Sequence, residues 1–196
     1  MPTAAILAGG RAARFGGRDK GALVIGGRSI LERQIAELRR VTDDILVVGE
    51  GPTVTRSDAR IRLIPDRVCG CGPLGGLDAA LAAARDGVVA ILACDMPFVT
   101  AAFLTRLLDL AREADAVVPR TERGYHPLCA VYTRACHPAV ARRLADRRLT
   151  MNGLLEDLRV RELTPEEIDA FGDRHHLLAN VNTPADYEEL EGLQGH

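Results

Sequence analysis

Leu7-Ala8-Gly9-Gly10-Arg11-Ala12-Ala13-Arg14-Phe15-Gly16-Gly17-Arg18-Asp19-Lys20-Gly21 joins the end of an apolar strand, Thr3 to Leu7, to a loop rich in glycine and positive charge. Glycines let backbone N–H groups approach a polyphosphate with no Cβ in the way. Arg11, Arg14, Arg18 and Lys20 supply the countercharge. The stretch therefore predicts a nucleoside triphosphate site directly after the first strand. It has neither the G-x-G-x-x-G of a dinucleotide fold nor the G-x-x-x-x-G-K-[ST] of a P-loop, because Lys20 stands between Asp19 and Gly21.

Outward from this stretch, apolar runs at Asp44 to Val48, Arg62 to Pro65, Val88 to Ala93 and Ala116 to Pro119 read as further strands. Helical spacing marks Ile30 to Arg40, through Ile30, Leu31, Gln34, Ile35 and Leu38, and the alanine-rich Leu74 to Ala84. Thr100 is a good N-cap for a helix over Ala101 to Glu113, and another helix opens at Arg134 to Arg143. Strand and helix alternate, which predicts an α/β chain: a three-layer α/β/α, Rossmann-like sandwich with a mostly parallel, mixed central sheet. Beyond Tyr125 the pattern is less regular. Leu128 to Tyr132, after His126-Pro127, adds to the sheet in an antiparallel or mixed sense, and a last helix runs from Pro184 to Leu190.

The 196 residues, 47% of them hydrophobic, suffice for one well-buried domain, and no proline- or serine-rich linker divides residues 1–196. A net charge of -2, with 4% aromatic residues and no Trp, argues against nucleic-acid binding and confines the cationic loop to a small anionic ligand. The first strand follows Met1 at once and no apolar run approaches the roughly 18 residues of a membrane span. A cytoplasmic protein without a membrane partner is expected. Of the five cysteines, Cys94 and Cys129 read as apolar packing within strands, Cys69 and Cys71 as an incidental surface pair, and none as a metal ligand.

In such folds ligands lie beyond the carboxyl ends of the strands. Two carboxylates stand there: Asp66, after Pro65 and before the glycine-rich Gly70 to Gly76, and Asp95, directly after Val88 to Ala93. A hard oxygen ligand such as Asp95 suits Mg²⁺, which takes one or two carboxylates together with phosphate oxygens. Lys20 is placed to neutralise charge in a phosphoryl-type transfer. Asn180 and Asn182 alternate, so an extended segment turns both amides to one side. Arg142, Arg143, Arg147 and Arg148 either meet a second phosphate, together with Met151-Asn152, or form a solvated helix face. His126 reads as a hydrogen-bonded structural residue, and His175, His176 and His196 as solvated surface.

The Leu-Ala-Gly-Gly opening, Gly16-Gly17, Asp19-Lys20-Gly21, Asp66, Gly72-Pro73-Leu74-Gly75-Gly76, Cys94-Asp95-Met96-Pro97, His126-Pro127 and Asn180-Val181-Asn182-Thr183-Pro184 together resemble the molybdenum cofactor guanylyltransferase (MobA) family of the nucleotidyltransferase superfamily. The likeness runs nearly end to end, and the Asn-Val-Asn-Thr-Pro segment is its most discriminating part. The resemblance implies transfer of GMP from GTP to the terminal phosphate of molybdopterin, with release of pyrophosphate and a need for Mg²⁺. It implies that Leu7, Ala8, Gly9 and Gly10 contact the nucleotide, that Lys20 meets its phosphates, that Asp66 binds nucleotide and that Asp95 holds the metal. Lys20 and Asp95 form the catalytic pair. Arg148, Asn180 and Asn182 fall to molybdopterin, so the N-terminal part of the domain is nucleotide-binding and the C-terminal part molybdopterin-binding. Other cofactor-biosynthesis proteins or molybdoenzyme chaperones are implied as partners.

One departure from the family pattern stands at the end of the second long strand. An asparagine contacting the nucleotide is common there, whereas this chain reads Val47-Val48-Gly49-Glu50. The rival readings are a transferase of the same fold using CTP or a sugar phosphate, and a catalytically silent module that binds nucleotide or cofactor. Leu-Ala-Ala-Gly is the usual opening of a cytidylyl relative, which Ala8-Gly9-Gly10 does not match, and a silent module has no need of both Lys20 and Asp95.

Overall fold

The structure is a computed structural model that describes residues 1–8, 20–49, 60–65 and 70–192. In chain order the strands and helices are β1 (Thr3–Leu7), the short β2 (Val24–Ile25) and β3 (Arg28–Ser29), α1 (Ile30–Leu38), β4 (Ile45–Val48), β5 (Ile61–Ile64), α2 (Gly72–Ala83), β6 (Val88–Ala93) and α3 (Ala101–Leu110). Then follow β7 (Ala116–Thr121), β8 (Gly124–Tyr125), β9 (Cys129–Thr133), α4 (His137–Ala145), α5 (Met151–Glu156), β10 (Val160–Leu163), α6 (Pro165–Asp169), α7 (Arg174–Leu177) and α8 (Pro184–Gly192).

The main sheet runs β10-β7-β9-β6-β1-β4-β5, with β8 paired to β7. β1 is parallel to both β4 and β6, β4 to β5, and β10 to β7, whereas β9 runs antiparallel to β6 and β7. This is the mostly parallel, mixed sheet that the alternation predicts. Successive side chains of a strand face opposite ways, and here both ways are covered. Ala4 and Ile6, Ile45 and Val47, and Ala90 and Leu92 pack with α1 and α3, while Ala5 and Leu7, Leu46 and Val48, and Val89 and Ile91 pack with α2 and α4. Burial on both faces is why the central strands read as unbroken apolar runs. No helix among the described residues is long and apolar enough to cross a membrane.

Capping fixes where helices start. Ser29 accepts from the backbone of Glu32 while the Glu32 carboxylate accepts from Ser29 N–H at 2.9 Å, a capping box that opens α1. Thr100 caps α3 as its sequence predicts, accepting from Phe103 N–H at 3.3 Å. α2 begins at Gly72, two residues before the predicted start, because Pro73 is accommodated in a first turn where its missing N–H is not needed. Gly75 and Gly76 therefore belong to the helix. A Cβ on Gly76 would stand 3.1 Å from Leu7 Cδ2, so the glycine serves close packing of α2 beneath the end of β1.

The described structure adds elements that the sequence pattern does not announce: β10, the helices α5 to α7, and the β2–β3 hairpin. The hairpin turns on Gly26 and Gly27, whose φ values of 56 and 78 match the positive pair of a two-residue turn. A third, small core gathers Ile25, Ile30, Phe98 and Val181, joining the hairpin and α1 to the loop after β6 and to the segment before α8.

Candidate active site

The parallel strands bring their carboxyl ends to one edge of the sheet, and the candidate residues of β1 and β6 meet there. Ala8 N–H donates to Val48 O at 2.8 Å, which ties the chain leaving β1 to the end of β4. Cys94 N–H donates to Leu7 O at 3.3 Å, so the peptide next to Asp95 is joined to the residue that begins the glycine loop. Asp95 is half-buried and its Oδ1 is shielded from solvent. Gly9, Gly10, Arg11, Arg14, Arg18, Glu50, Asp66, Cys69, His196 and the side chain of Lys20 lie outside the described residues; the backbone of Lys20 opens a short 3₁₀ turn over Lys20–Ala22.

The loop carrying Asp95 is clasped from α1. The Gln34 amide donates to Ala93 O at 2.7 Å and to Met96 O at 3.0 Å, one carbonyl on each side of Asp95. Gln34 is 1% exposed, and its buried amide NH2 is satisfied by those two bonds in place of water. Its function was hidden in the helical spacing. The available signal was a polar side chain set inside the apolar stripe of Ile30, Leu31, Ile35 and Leu38. Glu37, one turn on, accepts from Ala101 N–H at 2.7 Å and so holds the start of α3.

The asparagine segment reaches the same loop. Val181 N–H donates to Asp95 O at 2.9 Å, and the Val181 side chain is fully buried between Ile25, Ile30 and Phe98. Asn180 and Asn182 on either side are exposed, which is the alternation that an extended segment requires. The Asp186 carboxylate accepts from Asn182 N–H at 2.8 Å and Thr183 N–H at 2.9 Å, fixing the segment to the first turn of α8.

The arginines separate. Arg143 is 2% exposed and its Nε lies 2.6 Å from Asp157 Oδ2, which corrects the reading of the cluster as a solvated face for this residue. That contact holds the Asp157 carboxyl below the usual carboxylate range. Arg142, Arg147 and Arg148 are exposed. Arg147 Nη1 lies 3.5 Å from Cys71 Sγ, so the turn bearing Arg147 and Arg148 stands against the start of α2. Cys71 is 1% exposed, not a surface residue as its glycine-rich setting suggests, because the arginine turn covers it.

At the end of β4, Gly49 has φ 101, a conformation that side chains disfavour, and its N–H is spent on Ile64 O at 2.9 Å. A glycine is thus favoured by the backbone at the end of β4.

His126 is half-buried, with Nε2 3.0 Å from Thr121 Oγ1, its N–H donating to Pro119 O and its carbonyl accepting from Cys129 N–H. The predicted structural role agrees with these bonds. Burial, helped by the Arg123 charge, pushes its pKa below the ordinary histidine value. His176 is not free surface: its ring stacks on Phe98 at 4.0 Å between centroids.

Among the described residues no three His, Cys, Asp or Glu side chains are gathered as a ready metal cage. The donor chemistry fits Mg²⁺ in its substrate-bridging manner, with a carboxylate at a strand end and the remaining positions left to phosphate oxygens and water.

The family model of a MobA-like NTP transferase domain matches residues 4–162. Over 190 residues the chain is 32% identical to a protein of Desulfosudis oleivorans named molybdenum cofactor guanylyltransferase, covering 96% of this chain and 94% of the relative. The crystal structure of molybdopterin-guanine dinucleotide biosynthesis protein A from Archaeoglobus fulgidus is similar with a TM-score of 0.83, at 25% identity over 98% of both chains. A 2-C-methyl-D-erythritol 4-phosphate cytidylyltransferase from Thermus thermophilus, 18% identical over 97% of each chain, has a TM-score of 0.72 and shares the fold.

Proposed function

We propose that this chain, which belongs to the family of MobA-like NTP transferase domains, transfers GMP from GTP to the terminal phosphate of molybdopterin and releases pyrophosphate. The observation that carries the reading is the double tether of the Asp95 loop. Its Cys94 N–H is bonded to Leu7 at the head of the glycine loop, and its Asp95 carbonyl to Val181 between the two exposed asparagines. A carboxylate placed between two binding segments suits a reaction that joins two ligands.

On this reading Leu7, Ala8, Gly9, Gly10 and Asp66 bind the nucleotide, Lys20 meets its phosphates, and Arg148, Asn180 and Asn182 face molybdopterin. The N-terminal part of the single domain is then the nucleotide half and the C-terminal part the pterin half. Asp95 would hold Mg²⁺, which when bound withdraws charge from the phosphate oxygens of the attacked centre. The acceptor is a phosphate monoester, largely dianionic near neutral pH since its second pKa is about 6, so no side-chain base is required to activate it. What the chain must do is bring two anions together. Lys20 and the arginines of the glycine loop screen their repulsion, Gln34 keeps the Asp95 loop in place, and the asparagines align the acceptor. With Gly49 N–H engaged, selection of guanine falls to other groups. On the same reading the reaction runs in the cytoplasm, with other cofactor-biosynthesis proteins or molybdoenzyme chaperones as partners.

The test is pyrophosphate release from the purified protein with Mg²⁺ and molybdopterin, with GTP and CTP compared at equal concentration. GTP is expected to be turned over and EDTA to stop it. Faster turnover of CTP would remove the guanylyl assignment and leave a transferase of another specificity.

A further inference from the structure

Behind the loop that follows β6, a cleft of about 560 Å³ opens between α1 with the β2–β3 hairpin on one side and α7 with the turn before it on the other. Its floor is Pro97 to Thr100, and Leu7, Asp95, Asn180 and Asn182 are not part of its lining. The volume is that of a small-molecule site.

One wall is aromatic. The chain is only 4% aromatic and has four phenylalanines, yet Phe98 and Phe171 both line this cleft and a third, Phe103, packs edge-on behind Phe171 at 5.7 Å between centroids. The His176 ring lies on Phe98 at 4.0 Å with 24° between the planes. Phe171 and His176 are only half-buried, which leaves ring surface at the wall. Phe98 is anchored from behind by Ile25, Ile30 and Val181, so the stack does not have to be assembled by a ligand.

The other wall carries charge. Arg33 is held in place by its own helix and the hairpin, with Nε donating to Ile25 O at 2.9 Å, and Arg28 stands exposed on that hairpin. The two carboxylates of the lining are turned to backbone: Glu37 accepts from Ala101 N–H at 2.7 Å and Asp173 from His175 N–H at 3.1 Å. Acid here holds helix starts. Arg28 is therefore the charge best placed to meet an occupant.

We propose that this cleft is a second ligand site, separate from the catalytic edge, which takes a planar aromatic anion. The ring lies against Phe171 and the His176–Phe98 stack, and the acid group meets Arg28 and Arg33. Offset ring contacts and the pairing of guanidinium with an oxyanion supply the two halves of the recognition. The site is independent of the GMP-transfer reading.

The probe is 2-naphthoate, a flat two-ring carboxylate, titrated calorimetrically into the full-length protein. It is compared with 2-naphthamide, which keeps the rings without the charge, and with acetate, which keeps only the carboxylate. Saturable one-site binding of 2-naphthoate is expected, with 2-naphthamide about tenfold weaker and acetate not saturating. Arg28→Ala should weaken 2-naphthoate about tenfold and leave 2-naphthamide within about twofold of its wild-type affinity. Ala36→Leu keeps a strong helix former on α1 and puts a larger side chain at the cleft wall, so both naphthyl probes should lose about tenfold or more. Both variants should keep Tm within about 2 °C of wild type. Saturating GTP with Mg²⁺ should leave the affinity for 2-naphthoate within about twofold, since the nucleotide edge lies elsewhere. Absence of saturable 2-naphthoate binding, wild-type affinity in both variants, or displacement of the probe by GTP would each overturn the proposal.

Discussion

The loop after β6 and the turn after α4 both present candidate site residues, yet they are held in opposite ways. The Asp95 loop is fixed from far along the chain, by Leu7 O, by the Gln34 amide and by Val181 N–H. The arginine turn is held by backbone bonds within residues 142–148 and is tied to other segments by Arg143 to Asp157 and by Arg147 to Cys71. A residue at a joint of three segments cannot shift alone, whereas a residue on a local turn can move with little cost to the core. The comparison teaches where precision is located: at the Asp95 loop, with the exposed Arg142, Arg147 and Arg148 left as adjustable charge.

Asp95→Asn should give the largest effect, a loss of turnover of about 10³-fold with normal thermal unfolding, since the amide keeps the shape and removes the charge. Activity near wild type in a folded protein would take Asp95 out of the metal site. Gln34→Leu breaks the clasp without touching substrate. It removes the amide bonds to Ala93 O and Met96 O and should cost about 2–3 kcal/mol in stability. Turnover should fall with it, while exposed Arg142→Ala on the other region should leave Tm within about 1 °C. Equal Tm shifts in the two would erase the contrast between long-range and local support.

Val181→Ala should cost about 1.5 kcal/mol by removing buried methyl groups, and should weaken molybdopterin use more than GTP binding because it loosens Asn180 and Asn182. A larger loss of GTP affinity would put the asparagines on the nucleotide side. The smallest effect concerns His126, at the rim of the same edge. Its pKa in the folded protein lies below the ordinary 6.5, so the unfolded chain binds the proton first as pH falls. Its contribution is full above pH 6.5 and is lost as pH drops below that value toward the lowered one. His126→Gln should flatten the stability profile in that window, as followed by urea unfolding at stepped pH; an unchanged slope would contradict the burial argument.

The parallel half of the sheet was legible because burial on both faces leaves an uninterrupted apolar run, and β1 and β6 have the bounds their sequences predict. β10 was not, since an edge strand reading Val-Arg-Glu-Leu carries Arg161 and Glu162 and so lacks that run. The β2–β3 hairpin has two residues per strand, too few for any period, and only Gly26-Gly27 marked it. Of the candidate site, Asp95 could be named because a charge at a strand end is a local pattern, and the asparagines mainly because the Asn-Val-Asn-Thr-Pro segment resembles a known family. Gln34 and Cys71 could not, because a clasp and a cover are made by residues distant in sequence. His176 was misread for the same reason, its partner Phe98 lying on another segment.

The central claim is that the α-phosphate of the nucleotide is the one transferred. GTP carrying a label on its α-phosphate in one reaction and on its γ-phosphate in another, each with molybdopterin and Mg²⁺, tests it directly. The account predicts that the α label is recovered in the pterin product together with guanine, and the γ label in pyrophosphate. Recovery of the γ label in the pterin, with GDP released, would contradict it.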